Sequence, residues 1–132
     1  MIKDPRVYLV QMLERAERIA RYIEDGEAAF NRDEKTQDAV IRNFEIIGEA
    51  AKRVPDGFRT LHPEIPWRVM AGFRDVLIHG YEGVDLARVW LAAARDLPTA
   101  CAAIARILPP LDQLERELSG EDEISDSEGH TR

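Results

Sequence analysis

The feature that most constrains how this chain can fold is a helical spacing of apolar residues, held over four long stretches and broken only at glycine and proline. Asp4-Pro5 reads as a helix start, a capping side chain followed by the one residue that tolerates a first turn. Val7, Val10, Leu13, Ala16, Ile19, Ala20 and Ile23 then recur at helical spacing until Gly26 ends the run. A second helix is expected to begin near Asp33 or Thr36, to bury Ala39, Val40, Phe44, Ile47, Ala51 and Val54, and to stop at Pro55-Asp56-Gly57. Residues 58–66 read as a connector punctuated by Pro63 and Pro66. Pro66 opens a third helix through Trp67, Met70, Phe73, Leu77 and Ile78, expected to end close to His79-Gly80. Asp85 caps a fourth, which carries Leu86, Val89, Trp90, Ala93, Leu97, Ala100 and Ile104 and is expected to kink at Pro98. Nothing in the chain alternates in the manner of a strand, and no repeat recurs at a fixed period.

The expected fold is therefore all-α, an up-down helical bundle of four to five helices over residues 1–110, closed by Pro109-Pro110. Residues 111–132 form a second unit: a short helix over 111–118, then an acidic tail with almost nothing to bury, expected to be disordered. A length of 132 residues, 45% of them hydrophobic, suits one such domain. No apolar stretch approaches the ~20 residues that span a bilayer. Lys3, Asp4 and Arg6 interrupt any leader-like start. The single cysteine, Cys101, lies among Ala100, Ala102, Ala103 and Ile104 and reads as a small buried hydrophobe, compatible with a reducing compartment. These features point to the cytoplasm and away from a membrane.

A net charge of −7 looks hostile to nucleic acid until it is divided along the chain. Residues 111–132 hold eight acidic residues against Arg116 and Arg132, whereas residues 1–110 hold 17 acidic and 16 basic residues. Thirteen of those 16 are arginines, the better side chain for forked contact with phosphate, although helix faces paired with glutamate explain them equally. The acidic tail is either a solvating extension or a mimic of RNA.

The bundle pattern accounts for nearly every apolar residue but not for segment 74–81, where Arg74, Asp75, His79 and Tyr81 surround an apolar triplet. On an ideal helix Arg74 and His79 project about 140° apart and are separated by roughly 7.5 Å along the axis, so one helix does not aim both at a small target. Either the helix ends at His79 and turns at Gly80, or two copies bring their segments together across a symmetric dimer; the dimer also doubles the arginines around a phosphate. Histidine exchanges protons near neutral pH, and beside an RNA phosphodiester it would deprotonate the 2′-OH or protonate the departing 5′-oxygen. Arg74 would stabilise charge on the phosphorane, Tyr81 would hydrogen-bond a phosphate or stack on a base, and Asp75 would orient Arg74 or the imidazole. No metal or cofactor is called for, and no two histidines have metal-ligand spacing.

The bland readings are a glutamate partner for Arg74, a C-terminal capping role for His79 and ordinary packing for Tyr81. Asn43 and Glu49 sit six apart within the second helix, and either could face this segment. Glu49, beside Ile46, Ile47 and Ala50, is either a solvated glutamate or a carboxylate that orients Arg74. His62 is expected to hydrogen-bond loop backbone, His130 in the tail to be inert, and Trp67 and Trp90 to pack in the core or a dimer seam.

The Arg-x4-His-x-Tyr pattern of Arg74, His79 and Tyr81 does not stand alone. With Thr36-Gln37-Asp38-Ala39-Val40-Ile41-Arg42-Asn43, Glu45-Ile46-Ile47-Gly48-Glu49-Ala50, His62-Pro63-Glu64-Ile65-Pro66-Trp67 and Gly83-Val84-Asp85, it resembles the HepT-like branch of the HEPN superfamily, over about residues 4–110. The resemblance implies a HEPN-like helical homodimer. It also implies, for active members, a ribonuclease toxin encoded beside a minimal nucleotidyltransferase of the MntA type that serves as antitoxin. Carried over, it makes Arg74 and His79 catalytic and Tyr81 the residue that the antitoxin adenylylates, which would place phosphate charge and bulk beside the RNA site. The acidic tail is not covered. Two functions follow: a metal-independent endoribonuclease toxin, or a non-catalytic helical module that binds nucleotide or positions substrate for the same nucleotidyltransferase. Only the first requires His79 to move protons.

Overall fold

The computed structural model describes residues 4–77 and 83–120, with backbone only for residues 75–77. The described elements are all helical: α1 (Arg6–Tyr22), α2 (Glu27–Arg32), α3 (Glu34–Arg53), α4 (Asp56–Leu61), α5 (Trp67–Leu77), α6 (Leu86–Leu91), a π-helical turn (Ala92–Asp96), α7 (Leu97–Ile107) and α8 (Leu111–Ser119). α3 is the central element, packed against α1 on one side and α5 on the other, and α1 also meets α7. Phe44, Ile47, Leu9, Met12, Ile19, Met70 and Ile104 are among the side chains that close the core between them. None of the described helices is long and apolar enough to cross a membrane.

The helix starts follow from local chemistry. Asp4 accepts from the Arg6 N–H at 2.9 Å, and its carboxyl is held below the usual aspartate range, chiefly by hydrogen bonds from the Arg6 side chain. Asp85 accepts from the Arg88 N–H at the start of α6. At α3, Asp33 Oδ1 accepts from the Lys35 N–H at 3.1 Å, and Oδ2 accepts from the Thr36 hydroxyl at 2.7 Å. Those bonds, the Thr36 hydroxyl foremost, lower the Asp33 carboxyl below its ordinary value. Its contribution is therefore present above the unfolded-state value and lost as pH falls through the lower folded-state value. Asp33→Ala is expected to reduce the melting temperature by a few degrees at neutral pH, with the difference from wild type vanishing below the aspartate range in a series of thermal melts.

Several local expectations are corrected. The buried stripe of α1 is Leu9, Met12, Ala16 and Ile19, while Val7, Val10 and Leu13 are only half-buried. The apolar arc of this helix is wide because it serves two neighbours. Leu9 and Met12 belong to the main core, and Leu13 instead lines a groove toward α7 with Ala16, Ala20, Leu97 and Cys101. Cys101 is half-buried there, and burial pushes its thiol up to about 11. Two short helices replace an expected turn and connector. α2 follows Gly26, whose φ of 96° is open to glycine, and is pinned by buried Phe30, 5.7 Å from the Trp90 ring. α4 begins directly after Pro55, so the Pro-Asp pair that stops α3 also starts the next helix. His62 packs on the Phe58 ring at 4.6 Å with Nδ1 3.4 Å from Glu64, and it is the His62 carbonyl that accepts from the Trp67 indole.

The expected kink at Pro98 takes the form of the π turn just before it. There the Leu97 N–H donates to the Ala92 carbonyl, five residues back. A widened turn relieves the clash of a proline ring with the preceding turn and lets the helical path continue into α7. After Pro109-Pro110 the chain returns to the body: Leu114 of α8 is buried, and Arg6 Nη1 donates to Glu117 at 2.8 Å. The expectations for the tail beyond residue 120 and for the helix end at His79-Gly80 lie outside the described residues.

Candidate active site

Arg74 is carried on the last described turn of α5, and its position is set by how closely α5 rides on α3. The contact point is Gly48. A Cβ built there would lie 3.0 Å from Arg74 Cβ, 3.2 Å from the Arg74 backbone nitrogen and 3.3 Å from the Ala71 carbonyl oxygen. Glycine leaves room for that approach, and any Cβ there would have to be met by a shift of a few tenths of an ångström in α5. One turn of α3 before Gly48, buried Phe44 packs ring to ring with buried Phe73 of α5 at 4.9 Å, helping to hold the two helices in register.

One residue beyond Gly48, Glu49 reaches across to form an ion pair with Arg74, Nη1 donating to Oε1. Both side chains are a little under half exposed, so the pair faces solvent rather than the core. It lies in a cleft of about 250 Å³ between α1, α3 and α5, whose walls carry Gln11, Arg42, Glu45, Ile46, Arg53 and the ion pair itself. Arg42 pairs with Glu45 at 3.2 Å. Arg53 has no hydrogen-bonding or ionic partner among the described residues. The cleft therefore presents three guanidinium groups and two carboxylates, a polar pocket suited to an anion of extended shape. Asn43, about a quarter-turn around α3 from Arg42, is buried instead: its amide donates to the Ala39 carbonyl at 2.8 Å and accepts from Arg15 of α1 at 3.5 Å.

Of the residues singled out in the sequence, the structure brings Arg74 and Glu49 together and leaves Asn43 buried on Ala39 and Arg15. The side chain of Asp75, and His79 and Tyr81 altogether, lie outside the described residues. The sequence reading did not single out Gly48 at the helix crossing, and it did not assign to a site the α3 cleft residues Arg42, Glu45 and Arg53. Their signal is the spacing 42, 45, 49, 53, a polar stripe along one face of an otherwise apolar helix. Among the described residues no three His, Cys, Asp or Glu side chains gather into a group fit for a metal ion.

Comparison with known proteins places this arrangement. Residues 12–107 match the family described as ribonuclease HepT-like. A probable ribonuclease HepT from Thermococcus cleftensis is 58% identical over 67 residues, 51% of this chain and 61% of that protein. Two proteins of Methanocaldococcus jannaschii are also similar. One, named a gamma-glutamylcyclotransferase and candidate RNase, is 43% identical over 86% of this chain and 51% of its own length. The other, a candidate RNase, is 37% identical over 93% of this chain and 97% of its own length. The chain thus spans only about half to three-fifths of the first two relatives. No solved structure matches it significantly. With the family match covering most of the bundle, including α3, α5 and the cleft between them, the chain belongs to the HepT-like ribonuclease family.

Proposed function

We propose that this protein is a metal-independent endoribonuclease acting in the cytoplasm as the toxin of a bacterial toxin–antitoxin pair. The observation that carries the reading is the placement of Arg74, first residue of the Arg-x4-His-x-Tyr pattern, in an arginine-lined cleft where Glu49 grips its guanidinium. In the proposed reaction a ribose 2′-oxygen attacks the adjacent phosphorus, forming the P–O2′ bond as the P–O5′ bond breaks. The 2′-OH proton passes to a base, and the departing 5′-oxygen receives a proton from an acid, leaving a 2′,3′-cyclic phosphate and a 5′-OH. His79 is the proton-transfer group. In a homodimer two copies of segment 74–81 would supply two imidazoles, one for each transfer, and two Arg74 side chains to stabilise the phosphorane. Glu49 is a positioning residue for Arg74, and Asp75 for Arg74 or the imidazole. Tyr81 is the proposed site of adenylylation by an MntA-type nucleotidyltransferase antitoxin; the added AMP would bring phosphate charge and bulk that oppose RNA binding.

The test is cleavage of a mixed RNA pool in EDTA by the purified protein without its partner, alongside His79→Ala. Cleavage by the wild type alone, with 2′,3′-cyclic phosphate ends, supports the nuclease. A well-folded, unmodified wild-type protein that leaves the pool intact would shift the reading to a non-catalytic module that binds nucleotide or positions substrate for the nucleotidyltransferase.

A further inference from the structure

The reaction uses Arg74, but the cleft contains two more arginines that no step requires. Arg42, Glu45, Glu49 and Arg53 fall on a single face of α3, and Arg74 is fastened to that face at Glu49. At 1.5 Å per residue, Arg42 and Arg53 are ~16 Å apart along the helix axis, with Glu49 and its bound Arg74 ~10 Å from one and ~6 Å from the other. A single phosphate cannot bridge that length. A nucleic-acid strand bears one phosphate every ~3.4 Å when stacked as in a duplex, so several consecutive phosphates lie alongside it.

The charges along the face differ in how readily they engage. Arg53 is exposed and has no hydrogen-bonding or ionic partner among the described residues, so an incoming phosphate displaces nothing. Arg42 is 70% exposed and held only by Glu45, a surface pair of the kind that contributes little and yields to a better anion. Gln11, on the α1 wall, adds an uncharged donor. Among the described residues no aromatic ring lines the cleft, which leaves nothing for a base to stack on.

We propose that Arg42 and Arg53 are phosphate-binding residues that flank Arg74 and lay a single-stranded RNA along the α3 face, with the scissile phosphate between them. This inference rests on RNA as the substrate. The contacts are to the backbone alone, so they set affinity and salt dependence rather than the cleavage preference.

The experiment is binding of the full chain to a fluorescent 2′-O-methyl RNA oligonucleotide, which lacks the attacking hydroxyl, over a series of salt concentrations. Each lost phosphate contact on a single strand lowers the slope of log affinity against log salt by about 0.7. Arg42→Gln/Arg53→Gln is therefore expected to lower it by about 1.4 and to weaken binding on the order of ten-fold at moderate salt. On cleavable RNA the same variant raises KM, leaves kcat within a few-fold of wild type and keeps the wild-type pattern of cut sites. Glu45→Gln, which removes the carboxylate restraining Arg42, tightens binding. Arg53→Gln alone, at an unpaired exposed position, reproduces half the change in slope should the double variant fold poorly. Wild-type affinity and slope in both arginine variants overturn the proposal, as does a wild type that does not bind the oligonucleotide at low salt. If the wild type cleaves RNA but the variants keep its KM and slope, the track is wrong and the nuclease stands. If binding depends on both arginines yet the wild type cleaves nothing, the track stands and the nuclease does not.

Discussion

Arg74→Ala is expected to lower kcat for RNA cleavage by roughly 10²–10³-fold, the usual cost of removing one preorganised donor from a developing oxyanion. His79→Ala removes a proton-transfer group and is expected to cost roughly 10²–10⁴-fold. Both losses should appear in kcat rather than KM, because charge on the phosphorane and a proton in flight exist only in the transition state. Stability is expected to be nearly unchanged in Arg74→Ala. The Arg74–Glu49 pair is almost half exposed, and surface pairs of that kind are worth about 0–1 kcal/mol. Single-turnover cleavage together with thermal melts separates the two effects. A folded Arg74→Ala protein with wild-type kcat would remove Arg74 from the chemistry.

Glu49 is tested through Arg74. As a positioning residue it matters only while the guanidinium is present, so Glu49→Ala should slow the wild type yet add little to the loss already caused by Arg74→Ala. Glu49→Gln keeps an oxygen for the Arg74 N–H to donate to, and is expected to recover much of the rate that Glu49→Ala loses. Additive losses in the double variant would instead mean that Glu49 acts on substrate or fold independently of Arg74.

How much of this molecule is legible in its sequence depends on the range over which each feature is determined. The long helices were readable because their starts are settled by contacts two or three residues away: Asp33 caps its own helix through Lys35 and Thr36, and Asp85 does so through Arg88. On α3 the apolar spacing picks out Val40, Phe44, Ile47, Ala51 and Val54, all of them buried, while Ala39 is only half-buried and the small residues Gly48 and Ala50 are buried as well. α1 was misjudged in its first half because its apolar arc is divided between α3 and α7, and periodicity gives the arc without the division. α2 and α4 are too short for periodicity to register; a single buried ring, Phe30, fixes the first. In the candidate site, the type and spacing of Arg74, His79 and Tyr81 were visible along the chain. The cleft was not, because it depends on the residue of α3 that faces Arg74, a choice made by packing between residues such as Glu49 and Arg74, 25 positions apart in the chain.

That choice turns on Gly48, and Gly48→Val is expected to disturb stability and activity together. In an open helix the substitution would help slightly, since glycine is the poorest helix former after proline. Here the new Cβ would meet Arg74 Cβ at 3.0 Å, the Arg74 nitrogen at 3.2 Å and the Ala71 carbonyl at 3.3 Å, and two of those three atoms are backbone that cannot rotate away. The two methyl groups of valine then press α5 outward. Overpacking of this kind costs about 1–3 kcal/mol, more than the helical gain returns, and for a domain of this size the melting temperature should fall by roughly 5–10 °C. Displacing α5 carries Arg74 away from Glu49 and from the cleft, and a shift near 1 Å at a reacting group can cost on the order of 10²-fold in rate. Gly48→Ala is the comparison: its single methyl gains about 1 kcal/mol of helix propensity against the same tight contacts, so its stability should stay close to wild type. The informative outcome is the relation between the two readouts. A Gly48→Val protein that is destabilised but cleaves RNA normally at low temperature would mean that the α3–α5 crossing supports the fold without aiming Arg74. One that melts like wild type would mean that α5 is not seated on α3 at this distance. Loss of both, with Arg42 and Arg53 still conferring wild-type affinity for the 2′-O-methyl oligonucleotide, would place the damage at Arg74 and leave the rest of the α3 face intact.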